Sequence, residues 1–514
     1  MSTTTAANDA AVGPDGPGGP ASRSTAGLPA RVLAALLRTD WLWVALLTVC
    51  VGGYRAGTPQ LWRDEMASWS AATRGTGELL AMLQNVDAVS GAYYLLLHGW
   101  ISVFGDSPLS MRMPSVLAMA GAAACVVLIG RELFDRRTAL MAGLLFASFA
   151  PISRYAQEAR SYAIVVFAAA AATLLLLRAL RERTWWRWLP YALAVSVAGL
   201  FHIVSLLLLV PHALLVLLRR RRPWSWQPPL MFLAAVTAAL LPLVPLVILG
   251  RQQVGRQIGW LHRPALHDIP DIWSLLFAPI WVSRLVPLLG LLALVVRPAS
   301  RARGRRPAVE IALVAALPFL FDWVLSQGGT SYFSDRYLLF TVPGWAVLIA
   351  SGLAALRPRL LGVLGLAGTI LLSVPYQGVV RRVGSHEWRD TNGAAAIIAA
   401  GYRPGDGLVP LRGDSAWLML DDEMTYDLRH RIDLKDVFTA RTAAQSDDLF
   451  DVECSDPVAC LGSVPRIWVV TITEGAGPYA SLPKAEADAL AAAYKPTRIE
   501  TLKGLRVSLL ERVG

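Results

Sequence analysis

Apolar residues gather in long blocks along this chain instead of recurring at helical or alternating spacing on a polar background. "LPYALAVSVAGLFHIVSLLLLVPHALLVLL" and "PLMFLAAVTAALLPLVPLVILG" approach or exceed the ~20 residues that carry a helix across a bilayer. Short arginine tracts stand between the blocks: "RELFDRR", "RALRERTWWR", "RRRR" at 219–222 and "RPASRARGRR". Placing each tract on the cytoplasmic side by the positive-inside rule predicts about eleven spans. They cover roughly 33–53, 109–130, 138–153, 162–180, a hairpin of two turning outward near His202, 229–249, one ending at the 297–306 tract, 308–326, one returning from "SYFSDRYLLF" to "RPR", and 359–376.

Two stretches between spans are long. Residues 54–108 form a predicted external loop with one interfacial helix from Asp64 to about Leu83 and another over "YYLLLHGWISVF", which at about 12 residues is too short to cross. Residues 250–282 form a second external loop. An odd number of spans leaves 381–514 outside as a small α/β domain, with strands at "DGLVPL" and "RIWVVTI" and a helix at "AEADALAAAY". Residues 1–30, rich in Ala, Gly, Pro, Ser and Thr, read as a disordered cytoplasmic tail. No cleavable signal precedes the first span, which is read as an uncleaved anchor. The expected protein is therefore a polytopic α-helical membrane protein of the plasma membrane. Its transmembrane domain occupies 31–380, its N-terminus is cytoplasmic and its C-terminal domain extracytoplasmic.

Composition fits that picture. The 514 residues are 55% hydrophobic, with mean hydropathy +0.47, too apolar for a soluble enzyme. The net charge of +11 sits in the interspan tracts, where anionic lipid explains it better than nucleic acid. Lys435, Lys484, Lys495 and Lys503 all lie in the C-terminal part, which differs in composition from the arginine-rich remainder. Cys50 and Cys125 sit in apolar runs. In an oxidising compartment the close pair Cys454 and Cys460 would form a disulfide.

The unusual polar residues collect on the predicted external face. "LWRDEMASW" places Arg63, Asp64 and Glu65 just past the first span, as a helix-capping acidic pair or as catalytic carboxylates. "YAQEARSYA" brings Tyr155, Gln157, Glu158 and Arg160 to a span boundary, where Glu158 and Arg160 would pair with each other if only structural. "RQQVGRQIGWLHR" puts Arg251, Arg256, His262 and Arg263 on the wrong side for the positive-inside rule; an anionic headgroup or phosphate would account for them. Arg336 stands at a span mouth, with Asp335 as a local partner. His202 reads as a core histidine or a site residue, and Asp322 as a carboxylate in an apolar span. HExxH, paired CxxC, P-loop and nucleophile-elbow patterns are absent from the sequence, which removes support for zinc, nucleotide and serine-hydrolase chemistry.

These segments carry a resemblance. The acidic pair after the first span, the stretch "VDAVSGAYYLLLHGWISVFGDSPLSMRMPSVL" with Asp87, then "RYAQEARSYA" and "FSDRYLLFTVPGW", resemble the C-type, polyprenyl-phosphate-sugar-dependent membrane glycosyltransferases over roughly 35–376. The likeness is to their protein O-mannosyltransferase-like and aminoarabinose-transferase-like branches, and "HEWRDTNGAAAIIAAGYRPGDGLV" is similar to actinobacterial mannosyltransferase relatives. The resemblance implies inverting transfer of a sugar, mannose by this likeness, from a polyprenyl-phosphate donor to a hydroxyl on a glycolipid, glycan or protein at the outer membrane face. Asp64 would be the general base and Glu65 would orient the acceptor or hold Asp64 charged. Arg63, Asp87, Tyr155, Gln157, Glu158, Arg160 and His202 would line the substrate. Arg336, with Arg251, Arg256 or Arg263, would hold the donor phosphate. No cofactor or metal is expected. The competing readings are a lipid-linked-sugar flippase, which should show repeats and midplane charges, and a non-catalytic envelope assembly protein, which should tolerate loss of Asp64.

Overall fold

The computed structural model describes residues 39–182, 184–219, 226–296, 305–475 and 477–513. The chain divides into the units Met1–Asp40 and Trp41–Gly514. The expected tail 1–30 lies outside the described residues, as do most of the tracts at 219–222 and 297–306. The membrane-spanning helices and the sheet region lie in the second unit.

Among the described residues six helices are long and apolar enough to span a bilayer: Pro108–Leu133, Tyr162–Glu182, Gln227–Ile258, Arg306–Leu325, Asp335–Ala355 and Arg359–Val379. Two bent pairs, Arg136–Ser148 with Ala150–Ala156 and Asp268–Leu276 with Ile280–Val295, raise the number to eight. This is a multi-pass helical membrane protein, though length and composition give fewer spans than the eleven read from the blocks. The difference lies in short helices. Asp40–Gly53 has 14 described residues. The expected hairpin consists of Trp188–Phe201 and Ile203–Leu218, both short, broken at an extended His202.

Burial separates inner from outer helices. The apolar window of Asp335–Ala355 is 89% buried, whereas those of Gln227–Ile258 and Arg359–Val379 are only 17% buried. Exposed leucines on these outer helices, such as Leu233 and Leu371, suit hydrocarbon better than water. Inner helices approach closely at small residues. A Cβ on Gly352 would lie 2.9 Å from the Ala293 nitrogen. Local signals set the ends of the segments: Ser107 caps Pro108–Leu133 by accepting the Ser110 N–H, with proline in the first turn. Arg219 and Arg306, from two of the tracts assigned to anionic lipid, both hold the buried Glu310.

The loop after the first helix is itself helical. The single predicted helix from Asp64 to Leu83 is two, Arg63–Ala72 and Thr76–Asn85, because the chain turns at Thr73–Gly75; a third is Gly91–Phe104. The predicted loop 250–282 is also largely helical, since Val244–Ile258 runs on through Arg251 and Arg256.

Residues beyond 390 form a mixed sheet. Its strands are β1 (Gly407–Pro410), β2 (Lys435–Asp436), β5 (Arg466–Ile472), β6 (Tyr494–Leu502) and β7 (Leu505–Arg512), in order β2-β1-β5-β7-β6; β3 (Thr439–Arg441) and β4 (Val452–Glu453) pair separately. β1 runs parallel to β2 and β5, and β7 is antiparallel to β5 and β6. The two read strands are β1 and β5. The β6–β7 hairpin was not anticipated, because β6 exposes six of its nine residues and its middle carries no alternation. Its turn needs Gly504, at φ +73° with the Trp388 ring 2.4 Å from a would-be Cβ. Cys454 and Cys460 are bonded to each other. Met419, Tyr426 and Leu449 join one apolar cluster with Leu61, Met66 and Trp69 of the first loop, so the sheet region sits against that loop.

Candidate active site

The helix Arg63–Ala72 begins after Trp62, whose backbone is extended and whose side chain provides no cap. Asp64 and Glu65 occupy its first turn, where the helix dipole favours anions. Successive helical residues point about 100° apart, so adjacency in sequence sends the two carboxylates to different places.

Glu65 turns inward and is fully buried. Arg112 grips it through Nε–Oε1 at 2.8 Å and Nη2–Oε2 at 2.7 Å, and the Ala159 N–H donates to Oε1 at 2.8 Å. Arg112 also donates to the carbonyls of Ala56, Pro59 and Gln60. Burial alone would push the Glu65 carboxyl up; Arg112, aided by His386, overrides it and holds the group far below the usual carboxylate range. No acceptor can reach Glu65, so the expected acceptor contact gives way to a positioning role: it pins the start of the Asp64 helix to Pro108–Leu133.

Asp64 turns the other way, its side chain 20% exposed. Its Oδ2 accepts Arg336 Nη1 at 2.7 Å, and Arg63 Nε lies 3.7 Å from Oδ1. The capping explanation fails, since these arginines, and no helix N–H, are its partners. Aromatic rings surround Arg336: Trp260 at 5.3 Å, Tyr337 at 5.6 Å, Trp62 at 5.9 Å and Tyr162 at 6.0 Å. Trp62 itself lies under three guanidiniums, those of Arg63, Arg154 and Arg336. The expected base and the expected phosphate-binding arginine, from segments far apart in the chain, are in direct contact.

The other expected site residues divide. Arg160 reaches the Asp64 carbonyl and Ser68 at 3.4 Å and the Tyr94 hydroxyl at 3.1 Å. Glu158 does not pair with it; Arg154, four residues earlier, bonds Glu158 instead. Tyr155 donates to Asp335 at 2.6 Å, which takes Asp335 away from Arg336. His202 packs against Tyr337, with ring centroids 4.3 Å apart and planes tilted by 43°. Asp87 accepts from Tyr94 and Ser90 beside this group. Gln157 donates to the Gly52 and Tyr54 carbonyls and is wholly buried, so it ties down a helix end and cannot line substrate. The second basic loop is mostly engaged elsewhere: Arg256 binds Asp448 and Arg263 donates to Gln327, while Arg251 is exposed on its helix. His262 faces Asp268.

Sequence reasoning missed Arg112, Arg154, His386 and the tryptophans. Arg154 alone left a signal, its i,i+4 spacing to Glu158. A cavity of about 560 Å³ opens beside Tyr155 and Asp335. Arg154, Arg382 and Lys503 give it positive charge, Asp335 adds a carboxylate, and Pro151, Leu275 and Val379 are among its apolar lining.

Glu158 has a testable signature. Burial raises its carboxyl to about 7, with Arg154 pulling the other way and Glu65 and Asp64 adding to the rise. A folded pKa above the unfolded one gives a contribution to stability that is full below the ordinary carboxylate range and lost as pH climbs through about 7. The unfolding temperature of wild type should therefore decline over that interval relative to Glu158→Gln. Parallel melting curves against pH that never diverge would reject it.

The family model described as dolichyl-phosphate-mannose-protein mannosyltransferase matches residues 90–249. Resemblance, family model and fold agree: the chain is an integral membrane protein with the C-type glycosyltransferase fold. The structure of ArnT from Cupriavidus metallidurans in the apo state is similar along 93% of this chain and 98% of that one, with TM-score 0.60 and 16% identity. The same protein bound to undecaprenyl phosphate gives TM-score 0.58 at 15% identity, with the same coverage. An Archaeoglobus fulgidus oligosaccharyltransferase, 12% identical with TM-score 0.48 over 92% of this chain and 74% of that one, is too distant to add to this. No curated protein matches the chain by sequence.

Proposed function

We propose that the protein transfers a sugar, mannose in our reading, from a polyprenyl-phosphate donor to an acceptor hydroxyl at the outer membrane face. The observation that carries this is the partly open Asp64 held against Arg336, whose chain neighbour Asp335 lines a cavity that also holds Arg154, Arg382, Lys503 and an apolar flank. Asp64 takes the proton of the acceptor hydroxyl as its oxygen attacks the sugar C1 from the side opposite the phosphate. The C1–O bond to phosphate breaks with inversion, and the electron pair leaves with the polyprenyl phosphate. Charge builds on that phosphate oxygen, where preorganised guanidiniums lower the barrier most. Arg336 and Arg154 are the donors in this reading, and Pro151, Leu275 and Val379 give the first isoprene units an apolar wall. The sugar–phosphate ester supplies its own leaving group, so the reaction needs no nucleotide. The match to ArnT bound to undecaprenyl phosphate supports a lipid-phosphate donor, and the family description supports mannose.

Proteoliposomes supplied with radiolabelled polyprenyl-phosphate mannose should label a membrane acceptor fraction; protein that labels none with any polyprenyl-phosphate sugar is not this enzyme. Arg336→Ala should weaken binding of the product, polyprenyl phosphate, by about ten- to a hundredfold, the worth of a hydrogen bond to a charged group. Equal affinity in the two proteins would remove Arg336 from the phosphate site.

A further inference from the structure

Trp417 stands in the sheet region beyond the transmembrane helices, yet its ring lies over Arg63, 4.7 Å from the guanidinium carbon. Arg63 in turn neighbours Asp64. More than half of the Trp417 side chain is open, at 53% exposure, while Trp468 of the same region is fully buried in its core. A large indole left in water is costly, and here its position is fixed from both ends. The turn Gly413–Leu418 that carries it follows Arg412, whose buried guanidinium is held by Asp421 at 2.9 Å, by Thr439 at 2.9 Å and by Asp436. The Gly413 N–H, at φ +62°, donates to Glu453 at 3.1 Å. At the far end the Leu418 carbonyl accepts buried Arg389 at 3.1 Å. Buried ion clusters of this kind contribute little net stability. Their effect here is to hold one exposed aromatic turn rigid beside the proposed base.

We infer that Trp417 is the platform for a sugar ring of the acceptor, which makes the acceptor a carbohydrate and the sheet region part of its binding site. This rests on the transferase reading above. A pyranose has an apolar C–H face and a rim of hydroxyls. A flat, preordered indole matches the face at little entropic cost. Arg63 and Asp414, exposed in the same turn, offer charged donors and acceptors for the rim. A lipid tail would need an apolar surround, and this turn is bordered by charge.

Saturation-transfer NMR on the full-length protein in nanodiscs tests it, with mannotriose, maltotriose and a Ser/Thr-rich peptide as probes. At least one oligosaccharide should give signal in wild type, with its Kd raised about tenfold in Trp417→Ala and largely kept in Trp417→Phe, which preserves a stacking face. Oligosaccharide binding undiminished in Trp417→Ala overturns the proposal. So does signal from the peptide alone, which would make the acceptor a protein, and so does silence from every oligosaccharide. Polyprenyl phosphate titrated in parallel reports on the transferase reading alone, and its affinity should be equal in wild type and both variants.

Discussion

Asp64→Asn should lower sugar transfer by about 10²–10⁴-fold, the usual worth of a positioned general base, with an unfolding temperature close to that of wild type. The amide keeps the shape of the side chain but cannot take the acceptor proton. Stability changes less than for the fully buried Glu65–Arg112 pair, because the Asp64 and Arg336 side chains keep 20% and 13% exposure and the amide oxygen of the variant can still accept from Arg336. The contact makes a second outcome specific to this geometry. Arg336 loses its anionic partner, so polyprenyl phosphate should bind the variant at least as tightly as it binds wild type. Retention of more than about a tenth of the activity would sink the base assignment. Weaker lipid-phosphate binding would show that Asp64 organises the donor site as well.

The neighbouring carboxylate should behave in the opposite way. Glu65→Gln and Arg112→Leu are each expected to destabilise the protein by about 3–5 kcal/mol, because either change leaves a buried group without its charged partner. The double variant Glu65→Gln/Arg112→Leu should cost less than the sum of the single changes. Sign and pH window come from the depressed Glu65 carboxyl: its contribution is present above the ordinary carboxylate pKa and is lost only in strong acid. Thermal melts of the four proteins measure the cycle. Loss of turnover in Glu65→Gln with an unchanged melt would instead put Glu65 in contact with substrate.

The two carboxylates show how far reading the chain goes. Their place past the first apolar block, and the resemblance that singled them out, were legible in sequence. Their division of labour was not. It comes from the helical turn, which sends one residue into the interior, and from Arg112, which lies 47 positions away on another helix. Arg160 is a similar case: sequence offered it as the partner of Glu158, and packing gave it to the Asp64 carbonyl and Tyr94.

The apolar blocks by themselves determined a multi-pass helical protein, because bilayer thickness sets the length of a span and the hydrophobic effect acts on local composition. β1 and β5 were legible because buried strands must be apolar. The tertiary structure alone decided which charges meet. Arg336 is 272 positions from Asp64, and Trp417 reaches Arg63 across a still longer stretch of chain. Such contacts leave no periodicity to read. They arise when helices and sheet are packed, and each buried charge must then take whichever partner the packing brings within reach.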